Sequence, residues 1–492
     1  MSNNLKKVVI VGGGTAGWMA AAALSKVFNT LDITLVESDQ IGTIGVGEAT
    51  IPTMLFFNKV VGIDENEFLK QTQGTYKLGI NFENWLDDGK EYFHAFGSTG
   101  TNFWAAGFHH FWRRGLDENL SNDFGHYNFE TQAAKAHRFA KTPQDGLNYA
   151  FHLDAGLYAK MLRKISESRG VKRIEGKITQ VNLHPDSGYI DSITVDETTT
   201  IAGELFLDCS GFKALLIEEA LHTGFEDWSH WLPCNRAIAV QTENTEPPVP
   251  YTRAIAHTAG WRWRIPLQHR TGNGVVYSSE YMSDDEATGI LLNGVDGKLL
   301  TEPRPITFKT GRRKKQWNKN CVAIGLAGGF IEPLESTAIH LIQQNILKLI
   351  KLFPSNEINA MDVNEYNKDS EFDYDQIKDF IVLHYHLTNR EDSAFWRHCK
   401  TMEIPASLKQ RLDLFHETGN FFLRMNELFV DSWFQVMIGQ GLIPKKYHRA
   451  ADEMSKAELM NFLDHIKGNI QGKLAQLPSH DEYLKRYCRA SL

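Results

Sequence analysis

At 492 residues, the chain exceeds the length at which one hydrophobic core usually stops growing, so two closely packed domains or one elaborated domain are expected. With 42% hydrophobic and 23% charged residues it has the composition of a folded globular protein, and a net charge of -8 argues against nucleic acid as a partner. Five scattered cysteines without a Cys-x-x-Cys pair give no sign of a disulfide framework or a metal site and fit a reducing cytoplasmic setting, and no stretch approaches the ~20 apolar residues of a membrane span.

Residues 7–37 read as a strand, a glycine turn, an Ala-rich helix from Trp18 to Phe28 and a second strand, DITLVES. Residues 50–150 are crowded with aromatics and glycine, which suits either an inserted core region or the wall of an aromatic pocket. A helical face spans Asp154 to Arg169, and GVKRIEGKITQVNL alternates as strands should. Hairpin strands then return to a strand ending at Asp208-Cys209-Ser210-Gly211. The Pro-rich NTEPPVP predicts a surface loop, after which YTRAIAHTAGWRWRIPL predicts strands of a second sheet layer. The basic run from Arg312 to Lys315 is expected as a solvated loop or helix end. Beyond Glu335 the periodicity is helical almost throughout. The expected organisation is a mixed α/β chain, with a nucleotide-binding module over residues 1–335 that carries inserted segments at about 50–150 and 230–310. A helical substrate-binding cap would span 336–492.

The turn Gly12-Gly13-Gly14-Thr15-Ala16-Gly17 fits G-x-G-x-x-G between a strand and a helix. Glycine at 12 and 14 lets the backbone approach a pyrophosphate, glycine at 17 lets helix and strand pack closely, and the helix N-terminus offers N–H donors to the anion. Glu37, at the end of the second strand, is placed to accept from ribose hydroxyls. This is a dinucleotide site of Rossmann type, and the glycines alone do not distinguish FAD from NAD.

Further segments exceed what such a site needs: Val46-Gly47-Glu48-Ala49-Thr50-Ile51-Pro52, Lys77 in TYKLGINF, Gly260-Trp261-Arg262-Trp263-Arg264-Ile265-Pro266, and Glu332-Pro333-Leu334-Glu335-Ser336-Thr337. Read alone, Lys77 is an exposed strand lysine, since Tyr76, Leu78, Ile80 and Phe82 alternate on the other face. Trp261 and Trp263, with period two, share one strand face, as ordinary core aromatics or as a rigid wall. Ser336 or Thr337 is expected to cap the following helix.

Together these segments resemble the flavin-dependent tryptophan halogenase family over nearly the whole chain. The resemblance implies an FAD-binding fold of the flavin-monooxygenase type joined to a mostly helical substrate region. It implies FAD, used as FADH2, bound by Gly12, Gly14, Thr15, Ala16, Gly17, Glu37, Ala49, Val181, Leu326 and Ile339, with chloride or bromide as co-substrate at the amides of Thr337 and Ala338, and no metal. Lys77 would receive hypohalous acid, as a haloamine or as a hydrogen-bond donor to it, with Glu335 assisting, while Trp261 and Trp263 shield the flavin. His94, Phe96 and Trp433 would line the pocket of an aromatic substrate, an indole or a relative of it. Tryptophan-specific members carry paired tyrosines and an acidic residue for the amino-acid head group, whereas here the corresponding segment reads ELFVDSWFQVMIGQGLIP with one tryptophan. A separate NAD(P)H-dependent flavin reductase is implied as partner, and a homodimer is allowed. An aromatic hydroxylase and a non-catalytic flavin-binding redox module stay open as alternative readings.

Overall fold

Successive residues of the first strand face different cores, and the whole nucleotide end is organised by that alternation. In the computed structural model, which describes residues 5–42, 47–142, 146–422 and 427–490, Val8 and Ile10 of the strand Lys7–Val11 enter one core while Val9 and Val11 enter another. A sheet buried on both faces needs such continuous apolar strands. It runs in the order Trp317–Asn318, Cys321–Ala323, Leu205–Asp208, Lys7–Val11, Asp32–Glu37, Lys172–Glu175, parallel except at its first pair. On one face the helix Thr15–Val27 buries Ala20, Ala21, Ala22 and Ala23 completely, and small side chains there let the helices Ala155–Ser168 and Ala338–Lys351 approach it closely. On the other lies the antiparallel meander Ile178–Leu183, Ile190–Val195, Thr199–Ala202.

The expected second layer is a seven-stranded sheet in the order Arg304–Thr307, Arg236–Thr242, Thr271–Tyr277, Gly260–Pro266, Thr252–His257, Gly79–Glu83, Glu91–Ala95. Its core is shared with the helices Ala360–His386, Ala394–Thr401, Ala406–Thr418, Ser432–Gly439 and Lys456–Leu474. Many aromatics of the 50–150 stretch belong here, Phe82, Trp85, Phe108, Phe111 and Trp112 among them, while Phe57, Phe68, Tyr76, Phe93 and Phe139 join the first core. The helix His480–Tyr487 instead returns to the first core, where Tyr483 packs edge-on to Tyr76 and His480 Nε2 accepts the Tyr76 amide at 3.3 Å.

Two local expectations are corrected. TYKLGINF is not one strand with an open face: Thr75–Lys77 belongs to a three-stranded sheet with Ala150–Asp154 and Gly47–Ala49, whereas Gly79–Glu83 belongs to the seven-stranded one. Both faces of that junction are covered, so Lys77 is fully buried. The basic run is likewise solvated only at Lys314 and Lys315. Gly311–Arg313 is a strand, and its buried Arg312 and Arg313 pair with Glu226, Glu371 and Glu218. Val46 lies outside the described residues, and among those described no helix is long and apolar enough to cross a membrane.

His152 ties the junction together. Thr75 Oγ1 donates to the Pro266 carbonyl at 2.8 Å and therefore accepts from His152 Nδ1 at 2.9 Å, leaving His152 Nε2 to accept from Thr252 Oγ1 at 2.9 Å. Burial, with Lys77 and His480 nearby, drives this imidazole well below its ordinary pKa. A depressed folded-state pKa contributes stability that is full above pH ~6.5 and declines as the pH falls below it. His152→Leu leaves the buried Thr252 hydroxyl without its acceptor and removes the donor to Thr75 Oγ1, and should cost about 2 kcal/mol. It should also flatten the fall in stability between pH 6.5 and 5, as urea midpoints across that range will show.

Candidate active site

The glycine turn divides into two jobs. Gly12 has φ +106°, and a Cβ there would lie 2.2 Å from the Cys209 carbonyl oxygen; one on Gly17 would lie 1.9 Å from the Gly12 carbonyl oxygen. Both glycines are therefore demanded by the protein's own packing. A Cβ on Gly14, in contrast, would meet no protein atom within 4 Å. The protein's own packing therefore does not demand glycine at that position. The helix begins at Thr15, three residues earlier than its apolar pattern suggests, which puts Thr15, Ala16 and Gly17 in its first turn. Glu37 lies over Gly13 and is held by Arg173 at 2.5 Å and Trp18 Nε1 at 3.4 Å. Ala16 abuts Gly325 in the turn Gly325–Ala327, which contains Leu326, and Ile339 is buried in the first turn of Ala338–Lys351. Val181 packs, half-buried, in the core shared by Val36, and Ala49 closes the strand Gly47–Ala49. These residues fit a dinucleotide cofactor such as FAD.

Lys77 ends its strand with Nζ donating to the Thr50 carbonyl at 3.1 Å and to Ser336 Oγ at 2.8 Å, and with the Phe96 ring centred 5.1 Å away. Burial lowers its pKa to about 7, against a smaller opposing effect of Glu335. Ser336 reaches the lysine because its backbone is left-handed, with φ +60°. Neither it nor Thr337 caps the helix through its side chain, so the expected cap is replaced by the contact to Lys77. Thr337 and Ala338 stand at the helix start, where the first amides lack intrahelical acceptors.

Glu335, in the turn Pro333–Glu335, is buried between two histidines: His94 Nδ1 lies 2.8 Å from Oε2, and His384 Nε2 lies 2.7 Å from Oε1. Burial would raise its pKa, but the two histidines prevail and hold it at about 2, a carboxylate. His384 is fixed in turn by the Tyr92 hydroxyl at 2.7 Å and by stacking on Phe82. Lys77, Phe96, His94 and Glu335 thus form one cluster. Trp433 is a ring removed, edge-on to Phe380, which is edge-on to His94. His384 and Phe380 carry no local sequence signal, since both sit inside the long helix Ala360–His386.

Trp261 and Trp263 share a face as expected, with ring centroids 6.1 Å apart. Trp263 lies across Gly274, where any Cβ would collide with its ring, and Trp261 Nε1 donates to Glu332 Oε2 at 2.7 Å. Burial pushes the Glu332 carboxyl up to about 7 despite this donor and the Tyr385 hydroxyl. Near Trp433 there is an acidic residue after all: buried Glu427 is gripped by Arg411, whose guanidinium stands 5.1 Å from the Trp433 ring and 5.5 Å from Phe421.

A glycine turn feeding a parallel sheet is thus joined, through one helix start, to a buried lysine and glutamate beside an aromatic wall. A model of the tryptophan halogenase family matches residues 7–456. The structure is similar to that of Xcc4156, a flavin-dependent halogenase from Xanthomonas campestris, at 53% identity and TM-score 0.98 over 99% of each chain. It is similar also to BrvH, a flavin-dependent halogenase from Brevundimonas sp. BAL3, at 42% identity and TM-score 0.95 over 99% of each chain. In sequence it is 34% identical to the tryptophan 6-halogenase ThaL of Streptomyces albogriseolus over 100% of both chains. The chain belongs to the tryptophan halogenase family and is an FADH2-dependent halogenase, an oxidoreductase. The hydroxylase and non-catalytic readings are not favoured.

The division among the glycines is open to test. Gly17→Ala should lower the melting temperature of the cofactor-free protein by several degrees through the backbone clash, whereas Gly14→Val should leave it nearly unchanged while abolishing FAD binding in a fluorescence titration. Retention of FAD by Gly14→Val removes the pyrophosphate from that position.

Proposed function

We propose that the enzyme halogenates the ring of indole, or of an indole without an amino-acid head group, through hypohalous acid delivered at Lys77. The observation that carries this reading is the buried lysine, held by Thr50 and Ser336 beside a carboxylate fixed by His94 and His384. When bound at Gly12, Gly14, Thr15, Ala16, Gly17, Glu37, Ala49, Val181, Leu326 and Ile339, FADH2 with oxygen supplies the two-electron oxidation of chloride or bromide to hypohalous acid. The amides of Thr337 and Ala338 hold the halide, since a helix start offers N–H donors to an anion. The Trp261 and Trp263 wall keeps the substrate ring off the cofactor, so halogen rather than oxygen reaches it.

With two of its bonds engaged, Lys77 Nζ retains one position for the incoming species, as a haloamine when neutral or as a donor polarising the hypohalous acid when charged. The aromatic ring lies among His94, Phe96 and, farther out, Trp433. As halogen adds to a ring carbon, Glu335 accepts the proton that leaves it, and its two histidines stabilise the carboxylate beforehand. Reduced flavin comes from a separate NAD(P)H-dependent reductase, because the described residues hold one glycine-rich nucleotide turn. Five free, buried cysteines support a cytoplasmic setting. The organisation proposed is a cofactor module to residue 335, completed by the helices Ala338–Lys351 and His480–Tyr487, with a helical substrate region between these two.

Lys77→Ala should abolish halogenated product while reduced flavin is still consumed, as separate assays of product and flavin oxidation will show. If the neutral amine is the acceptor, product formation falls as the pH drops below about 7, where the lysine becomes protonated. That limb should persist in Glu332→Gln and in Glu48→Gln, which remove two carboxyls that titrate in the same range.

Arg411 supports the choice of substrate class. By occupying Glu427, it removes the carboxylate that would receive a substrate ammonium, and an uncompensated head group costs roughly 1–3 kcal/mol. Indole should therefore show a kcat/KM at least equal to that of free tryptophan under the same halide and reductase. A tenfold preference for tryptophan rejects this substrate class.

A further inference from the structure

The turn that carries Glu335 and Ser336 carries a second glutamate with a separate set of partners. Glu332 is fully buried, and its Oε2 accepts from Trp261 Nε1 at 2.7 Å and from the Tyr385 hydroxyl at 2.6 Å. Its other oxygen, Oε1, is buried without a partner. Tyr385 Oη also lies 3.5 Å from Cys234 Sγ, and its ring packs against Trp85 and Trp396. Adjacent residues of the helix Ala360–His386 thus meet the two glutamates of one turn, His384 at Glu335 and Tyr385 at Glu332.

The two wall tryptophans are held differently. Trp263 has a buried ring nitrogen with no partner and is kept in place by packing over Gly274. Trp261 is hydrogen-bonded, and Trp85, at 6.5 Å, is tilted against it. A carboxylate in an apolar core is costly, and an apolar side chain of similar volume would fill the same space at less cost. Glu332 is therefore difficult to explain by packing alone.

Building on the function proposed above, we infer that Glu332 is a positioning residue. It fixes the Trp261 indole to the halide-side turn and, through Tyr385, to the substrate-side helix, so that the wall stays sealed while hypohalous acid moves toward Lys77. Glu332 itself touches neither reactant. Its effect lies in where the oxidant goes. With Trp261 free to rotate, hypohalous acid is lost to solvent before it reaches the lysine.

The test measures that partition. The holoenzyme, supplied with reductase and bromide, turns over indole in the presence of a membrane-impermeant, bulky β-diketone that traps only escaped hypohalous acid, and brominated indole and brominated trap are both quantified. In Glu332→Leu, the trapped fraction should rise at least threefold while the Kd for oxidised FAD stays within twofold of wild type. Glu332→Gln keeps an acceptor oxygen for both donors and should partition within twofold of wild type. Tyr385→Phe, which removes one donor with little change in volume, should leak to an intermediate extent and serves if Glu332→Leu does not fold. Wild-type partition in both Tyr385→Phe and Glu332→Leu overturns the positioning role, as does equal leakage from the Gln and Leu variants. If the wild-type enzyme brominates neither indole nor trap, the proposed function itself fails, an outcome distinct from either of these.

Discussion

Everything at this site depends on burying one lysine. Moving Lys77 from an ordinary pKa of 10.5 to about 7 penalises its charged form by an amount on the order of 5 kcal/mol. The fold imposes that by closing two sheets around the end of one short strand, with a backbone carbonyl from one segment and a hydroxyl from another as the amine's partners. Neither partner is charged. The amine is therefore oriented without being locked into its protonated state, as a carboxylate partner at contact distance would do. Glu335, whose charge is taken up by His94 and His384, influences the lysine while its own oxygens are directed to the histidines.

A single turn and a single helix organise the remaining chemistry. Residues 332–336 present a carboxylate to the tryptophan wall, a second to the histidines and a hydroxyl to the lysine. The helix that follows starts with Thr337 and Ala338 and buries Ile339 and Ile342 against the core beneath the glycine turn. The cofactor side and the reaction side are thereby fixed to one rigid element. Relative displacement of the two would require moving the whole helix Ala338–Lys351 out of a core that includes Ala20 to Leu24.

The sequence carried the parts whose cause is local. The strand, glycine turn and helix of residues 7–37 follow from neighbours along the chain, as do the shared face of Trp261 and Trp263 and the helical character beyond Glu335. What escaped is whatever two distant segments decide together. The alternation of TYKLGINF is real, yet Tyr76 and Leu78 enter one core while Ile80 and Phe82 enter another, so a pattern that signals an exposed face conceals a buried lysine. Arg312 and Arg313 look solvated until Glu226, Glu371 and Glu218 arrive from elsewhere in the chain. His384 and Glu427 acquire meaning only from the side chains opposite them, Glu335 and Arg411. Resemblance supplied the cluster of Lys77, His94, Phe96 and Glu335, which spacing alone would not have joined.

The return of the helix His480–Tyr487 to the strand bearing Lys77 sets an order of events in the making of the enzyme. A chain synthesised from its N-terminus displays the glycine turn and both sheets long before residue 480 leaves the ribosome, and until then the Tyr76 amide lacks its His480 partner. The strand that carries Lys77 is thus among the last pieces to be secured. A nascent chain able to gather cofactor early would still have an unfinished lysine site, and the oxidant proposed for this enzyme, indiscriminate hypohalous acid, is best generated only once its container is complete.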